Sequence, residues 1–276
     1  MTVLWRDGSL VEGDTAIEPG RTGWGVFSTV GCDCGRPFLW QRHAQRLAES
    51  VAYLAPNGEC ELPDEGTLRA LLGAARLDGP ARLRVVASWT SDRWRVEASA
   101  VRCDSVGPTV APAKLMTERW LAAPPLVGHK TLSRLPWELA LSQAARCGAD
   151  DALLIDATGR ILESTIANLW VIRDRAVMTP SAPKHCLPGI MRGWLLERIP
   201  ELGLRVGEAD ITEANVIAAD EVWLSNSVVG VRRVGEALGG VWRGWPIFDL
   251  IERLGLPAPG WPQPVGPEIR PQESCA

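Results

Sequence analysis

Gly128-His129-Lys130-Thr131-Leu132-Ser133-Arg134 places one lysine between a proline-broken stretch and an apolar helical pattern. A lysine at the edge of an element is open to partial desolvation. That disfavours its charged form, lowers its pKa and leaves a nucleophilic amine. Read alone, the segment fits an ordinary surface lysine at least as well, so its meaning depends on the rest of the chain.

Upstream, 106–126 is interrupted by Pro108, Pro112, Pro124 and Pro125, which sets a domain boundary near its end, with residues 1–120 in one unit and 121–276 in another. Downstream, apolar spacing predicts a helix over 135–147, with Pro136 in its first turn and Gly148 as its stop. Strands follow at 152–155 and 166–172 around a turn at 157–159. A helix over 190–198 is opened by Pro188-Gly189. A short helix is expected at 211–216, a strand at 221–225 and a last helix at 244–254. From Pro257 on, Pro and Gly dominate and predict a loose tail. In the first unit, strands are expected at 2–5, 26–30, 36–40, 82–88 and 94–101, the last two paired around a turn at 90–93. Helices are expected at 43–54, where Leu47, Val51 and Leu54 recur at helical spacing, and at 67–75. Strands and helices mix without regular βαβ alternation, which argues for two α+β domains rather than a doubly wound sheet.

The chain of 276 residues carries a net charge of −4, which favours neither nucleic acid nor an anionic membrane as partner; a small molecule remains. No window approaches 18 uncharged apolar residues, so no membrane span is expected. Residues 1–8 hold no apolar signal-like run, and the seven cysteines are odd in number and irregular in spacing. Both point to the cytoplasm, where thiols stay reduced. Cys32-Asp33-Cys34 with His43 fits no zinc spacing, so no metal is expected. The thirteen tryptophans read as packing. His43, His129 and His185 read as structural.

Three further stretches bear chemistry. In Ile161-Leu162-Glu163-Ser164-Thr165-Ile166-Ala167-Asn168, a glutamate precedes small polar residues and an apolar run. Its carboxylate would hold a neighbouring ring nitrogen protonated, or it is a turn residue. Cys186-Leu187-Pro188-Gly189-Ile190-Met191-Arg192 offers the free N–H groups of a helix start, which suit an anion, or it is an ordinary helix entry. Leu224-Ser225-Asn226-Ser227-Val228-Val229-Gly230-Val231 ends a strand in hydroxyls that would complete a phosphate cup, or it is a plain turn. No Walker loop is present, and no G-x-G-x-x-G follows a strand.

Order and spacing change the weight of these pieces. Lys130, Glu163 33 positions on, then L-P-G-I-x-R and S-N-S-x-x-G-V resemble the fold-type-IV pyridoxal-5′-phosphate (PLP) enzymes, the class IV aminotransferases. Gly25-Val26-Phe27-Ser28-Thr29-Val30 and His43-Ala44-Gln45-Arg46-Leu47 extend the likeness into the first half. The resemblance implies a two-domain α+β fold like that of D-amino-acid aminotransferase, a homodimer, and PLP in the cleft between domains. It implies that Lys130 carries PLP as a Schiff base and moves protons. Glu163 would pair with the pyridine nitrogen, and Arg46, the amides of Ile190 and Met191, and the Ser227 hydroxyl would hold the phosphate. Within the family, Arg134-Leu135, the 189–192 run and the 226–231 run lean toward 4-amino-4-deoxychorismate lyase, with Ser28 or Thr29 delivering a proton. Against that lean, Trp24 replaces the aspartate of a G-D-G motif. Ser88-Trp89-Thr90-Ser91-Asp92-Arg93 stands where a Gly- and Arg-rich loop is usual, which makes Arg93 or Arg21 the substitute carboxylate ligand. The alternative is a transaminase of branched-chain or D-amino acids. Leu135, where branched-chain enzymes keep a tyrosine, speaks against the first, and Arg84, where they keep a substrate arginine, speaks for it. A non-catalytic PLP-fold binding protein is the third reading; the intact set Arg46, Lys130 and Glu163 argues against it.

Overall fold

The computed structural model describes residues 3–12, 23–55, 59–90, 93–104, 106–108, 110–120 and 126–261. Its first half pairs β1 (Val3–Arg6), β2 (Ser9–Glu12), β3 (Gly25–Asp33), β4 (Arg36–Pro37), β5 (Ala81–Thr90) and β6 (Arg93–Arg102) in the order β2-β1-β6-β5-β3-β4. All pairings in this sheet are antiparallel. One face is covered by α1 (Trp40–Leu54) and α2 (Glu65–Ala74). Helix α1 buries Trp40, His43, Leu47, Ser50 and Val51, a stripe at three- and four-residue spacing. In α2 the Asp64 carboxylate accepts from Thr67 N–H at 2.6 Å, and Leu68, Leu71 and Leu72 enter the core beside Val30, Leu83, Val85 and Ala98. The strand expected over 36–40 shrinks to two residues, because Leu39 turns left-handed (φ 53°) and α1 begins at Trp40.

The second half is a nine-stranded sheet. Its strands are β7 (Ala113–Arg119), β8 (Asp151–Ile155), β9 (Ile161–Ser164), β10 (Asn168–Arg173), β11 (Ala176–Pro180), β12 (Arg205–Ala209), β13 (Glu221–Asn226), β14 (Gly230–Ala237) and β15 (Gly240–Val241). The order is β12-β11-β10-β13-β14-β7-β8-β9, with β15 on β14. Strands β7 and β8 run parallel, as do β11 and β12. Parallel neighbours need a crossover. The first carries α3 (Leu135–Arg146), and the second carries α4 (Ile190–Arg198). Short helices α5 (Glu213–Ile217) and α6 (Phe248–Ile251) complete this half. Helix α3 seats Trp137, Ala140 and Ala144 on Ala152, Leu154 and Leu162. Helix α4 seats Met191 and Leu195 against a cluster that holds Trp170 and Trp223.

Strand β7 belongs to the second sheet, and the chain passes from one sheet to the other between Arg102 and Ala113. The prolines at 108 and 112 lie before this strand and leave its own N–H groups free to pair. The last helix is short because Pro246 precedes it. Its first amides, Ile247 and Phe248, donate to the buried Glu221 carboxylate at 2.5 and 3.0 Å. The tail is packed as far as it is described: Ala258 and Trp261 are buried, and the Trp261 indole donates to Val229 O at 2.8 Å. The remainder of the tail, 262–276, lies outside the described residues.

The halves meet closely. A Cβ on Gly31 would stand 2.2 Å from Ser227 O and 2.5 Å from Pro259. Asp33 accepts from Gly260 N–H at 3.2 Å, and Arg42 grips Glu197 through two bonds at 2.9 and 2.7 Å. Gly31→Ala should therefore lower the unfolding free energy by ~1–3 kcal/mol, the scale of overpacking against fixed backbone. Gly73→Ala, in α2 with open space around it, should raise it by ~0.5–1 kcal/mol. Denaturant melts of the two variants check both signs.

Candidate active site

Lys130 lies in the crossover between β7 and α3, and backbone pairing fixes it. Phe27 N–H donates to Lys130 O at 2.9 Å, and Leu132 N–H donates to Gly25 O at 2.8 Å, so the segment adds a short strand to β3. Only glycine fits at 25, where a Cβ would meet Ala87 O at 2.6 Å and the Leu132 side chain at 2.8 Å. His129 steadies the segment from α1. Its Nδ1 is 2.9 Å from Ser50 Oγ, and its ring stacks on Tyr53 at 4.4 Å. The Lys130 amine stands 5.0 Å from the centre of the Phe27 ring, with no hydrogen bond or ion pair among the described residues.

Glu163 comes from the other sheet, at the end of β9. Its Oε2 accepts from Leu187 N–H at 3.1 Å and from Asn168 Nδ2 at 3.5 Å. Asn168 Nδ2 also donates to Leu187 O at 2.9 Å, and a Cβ on Gly189 would stand 2.0 Å from Asn168 Oδ1. That contact lets the 187–189 loop lie flat on Glu163. The turn after Glu163 is anchored by buried Asp151, whose Oδ1 accepts from Thr165 N–H at 3.1 Å and Thr165 Oγ1 at 2.5 Å.

Arg46 reaches in from α1. Its Nη1 donates to Pro188 O at 3.3 Å and its Nη2 to Ser28 Oγ at 3.0 Å. Beside it α4 begins at Gly189 without a side-chain cap, so the first amides of the helix face an anion site. Ser227 completes the ring on a turn made by Asn226 Oδ1, which accepts from Val228 and Val229 N–H at 3.0 and 2.9 Å.

These groups line one cavity of about 360 Å³. Lys130, Glu163, Arg46, Thr29, Ile190 and Ser227 all face it. The Met191 side chain is buried beneath α4, and its backbone N–H lies with that of Ile190 in the uncapped first turn of the helix. Ser28 points away from the cavity while Thr29 faces it, as neighbours on a strand must. Arg93 is exposed at the start of β6 and stands off the wall; Arg21 lies outside the described residues. Reading the sequence for roles left out Arg82, Arg134, Glu138 and Asn226, all in the wall. The i, i+2 spacing of Arg82 and Arg84 on β5 was the available signal.

The cavity is cationic. Arg46, Arg82, Arg84, Arg134 and Lys130 face Glu138 and Glu163, and none of the four guanidiniums has a carboxylate within ion-pair distance among the described residues. Burial, reinforced by Arg134, Arg46 and Arg84 and opposed by Glu163, pushes the Lys130 amine down to about 7. Burial also lowers Arg46 to about 10. Glu163 is pushed up by burial, against the Leu187 amide and the charges of Lys130 and Arg134. An amine without a partner, a carboxylate, and an arginine beside free helix amides are the donor set that PLP requires at its aldehyde, ring nitrogen and phosphate.

Residues 25–237 match the family described as amino-transferase class IV. The chain belongs to that family, is an enzyme, and takes pyridoxal 5′-phosphate as its cofactor in an α+β fold of type IV. It is similar to an aminodeoxychorismate lyase of Vibrio harveyi, at 29% identity over 80% of this chain and 85% of that protein. A branched-chain-amino-acid aminotransferase of Pseudomonas aeruginosa is 31% identical over 42% of this chain and 38% of that protein. The crystal structure of a branched-chain aminotransferase from Thermoproteus uzoniensis shares the fold, with a TM-score of 0.80 at 22% identity over 91% of this chain and 92% of that one.

Covalent uptake of PLP, followed by stopped-flow absorbance, should accelerate as pH rises through about 7 and then level off, because only the unprotonated amine attacks. Glu163→Gln removes the anion that favours the ammonium, so the midpoint should move to lower pH. A rate that keeps climbing toward about 10.4, as for a free lysine, defeats the desolvation argument.

Proposed function

We propose that the enzyme is a 4-amino-4-deoxychorismate lyase, releasing 4-aminobenzoate and pyruvate. The observation that carries this reading is the surplus of positive charge in the cavity wall. After Arg46 is assigned to the cofactor phosphate, Arg82, Arg84 and Arg134 remain against Glu138. Burial lowers the pKa of Arg84, with Arg82 adding to it, and burial lowers that of Arg134 as well, so an anion there relieves a standing cost. The proposed substrate brings two carboxylates. A branched-chain amino acid itself brings one carboxylate and an aliphatic side chain. The likeness to the Vibrio harveyi lyase over most of both chains supports the same choice.

Each residue then has a task. PLP, when bound, withdraws electrons from the carbon that bears the substrate amine. Glu163 accepts a hydrogen bond from the ring nitrogen and keeps that proton in place. Arg46, the amides of Ile190 and Met191 and the Ser227 hydroxyl would hold the phosphate. Lys130 would hold the cofactor at its aldehyde end and, with its amine unprotonated, would take the proton from the amine-bearing carbon. The Thr29 hydroxyl faces the same cavity and hands a proton to the enolpyruvyl methylene. The ring–oxygen bond breaks, the ring becomes aromatic, and pyruvate leaves with the oxygen. One proton leaves the ring carbon and one enters the methylene, so no external oxidant or reductant is needed.

The working form is proposed to be a homodimer. Leu135, Leu139 and Ile166 are exposed beside the cavity mouth, where Arg134 donates to Thr165 O, and a second copy would cover them. The cytoplasm is the proposed setting, in keeping with the free thiols of the described cysteines.

Incubation with 4-amino-4-deoxychorismate should yield 4-aminobenzoate with no 2-oxo acid added. Lys130→Ala should abolish turnover, and Glu163→Gln should slow it by ~10²-fold or more, the scale of losing one preorganised electrostatic partner. Amino transfer from an amino-acid panel to 2-oxoglutarate or pyruvate, with no 4-aminobenzoate formed, would assign the chain to the transaminases instead.

A further inference from the structure

His43 sits one turn before Arg46 on α1, so the two side chains share a face of the helix. Ser28, fully buried on β3, stands between them. Its Oγ is 2.7 Å from His43 Nδ1 and 3.0 Å from Arg46 Nη2. A guanidinium has no acceptor, so Arg46 donates to Ser28. The hydroxyl proton of Ser28 then needs an acceptor of its own, and His43 Nδ1 is the one within reach. This order demands a neutral imidazole with its proton on Nε2. The surroundings enforce neutrality: the ring is 1% exposed, and burial, with the nearby charges of Arg46 and Lys130, holds its pKa well below the ordinary value. Nε2 has no hydrogen-bond partner among the described residues, so the ring is held through Nδ1 alone.

A free arginine side chain samples many rotamers, and fixing its guanidinium in one of them costs entropy. A ligand that needs its guanidinium in one place binds more tightly when that cost is met before the ligand arrives. We propose that His43 is a positioning residue. By accepting the Ser28 proton it turns the Ser28 lone pair to Arg46 and fixes the guanidinium toward the phosphate end of the cavity. The inference rests on the assignment of Arg46 to the cofactor phosphate. It also explains why a buried imidazole, touching neither the cavity nor the reacting atoms, stands in the H-x-x-R stretch of this chain.

The test compares dissociation constants for PLP and for phosphate-free pyridoxal by absorbance titration. Ser28→Ala and His43→Leu should each weaken PLP about fivefold, the scale of one hydrogen bond, and leave pyridoxal unchanged. The double variant should be no worse than Ser28→Ala alone, since both remove one chain of bonds. His43→Asn, whose amide oxygen can stand near the place of Nδ1, should recover most of the loss. If His43→Leu fails to fold, Ser28→Ala decides by itself. Equal weakening of PLP and pyridoxal means general packing and overturns the inference, as does wild-type affinity in Ser28→Ala. Arg46→Ala separates the two layers of the argument. If it leaves the preference for PLP over pyridoxal intact, the phosphate assignment is wrong. If it abolishes the preference while Ser28→Ala does not reduce it, only the His43 role is lost.

Discussion

Two backbone hydrogen bonds, Phe27 N–H to Lys130 O and Leu132 N–H to Gly25 O, hang the reactive lysine on the six-stranded sheet although it belongs to a crossover of the nine-stranded one. Glu163 is held by the second sheet, and Arg46 by a helix of the first that reaches Pro188 O in the second. The site exists only while the two halves keep their relative position. That explains the tight seam, in which Gly31 lies against the Ser227 backbone and Arg42 holds Glu197 in a bidentate grip. A methyl group's displacement at this seam would move the phosphate end of the cavity relative to the lysine, and positioning errors of that size are costly in catalysis.

The same arrangement stores electrostatic stress. Five cationic side chains and two carboxylates around one cavity do not neutralise each other. Stability alone would favour another carboxylate there, or fewer arginines. Burial, reinforced by the positive excess, lowers the affinity of Lys130 for its proton, and the same excess readies the wall for anions. Asp151 shows the complementary device. It is buried behind the site, and its Oδ1 accepts two bonds from Thr165 that hold the turn after Glu163 and one from its neighbour Ala152, while Oδ2 has no hydrogen-bond partner among the described residues. The apolar clusters around Leu83 and Leu153 lie in the core of the first and second halves.

Much of this was legible because the decisive residues sit where the chain changes element. Lys130 follows a proline-broken stretch, Glu163 precedes a turn of small polar residues, Pro188-Gly189 opens a helix and Ser227 closes a strand; each transition has local chemistry that shows in the residues. What was hidden depends on contacts distant in sequence. Strand β7 was masked by the prolines around it, β11 by its closing Pro180, and β12 by Arg205, Gly207 and Glu208, although Ala176–Pro180 and Arg205–Ala209 pair in full register. Without those strands, the two crossovers that deliver the lysine and the phosphate loop could not be seen, and the alternation of strand and helix looked irregular.

Adjacent hydroxyls illustrate how the backbone divides labour. Ser28 and Thr29 are equivalent in sequence terms, two hydroxyls after a phenylalanine. The pleat of β3 sends them to opposite faces. Thr29 enters the cavity with Phe27, where a hydroxyl can meet substrate. Ser28 enters the layer beneath, where among the described residues its hydroxyl meets His43 and Arg46. Phe27 between the two layers carries Arg84 at 4.0 Å and Lys130 at 5.0 Å from its ring centre, an attraction that offsets part of the repulsion between those cations. A one-residue slip of β3 would exchange all three roles at once. The eight consecutive pairs that β3 makes with β5, from Gly25 with Ser88 to Cys32 with Ala81, are what prevent it.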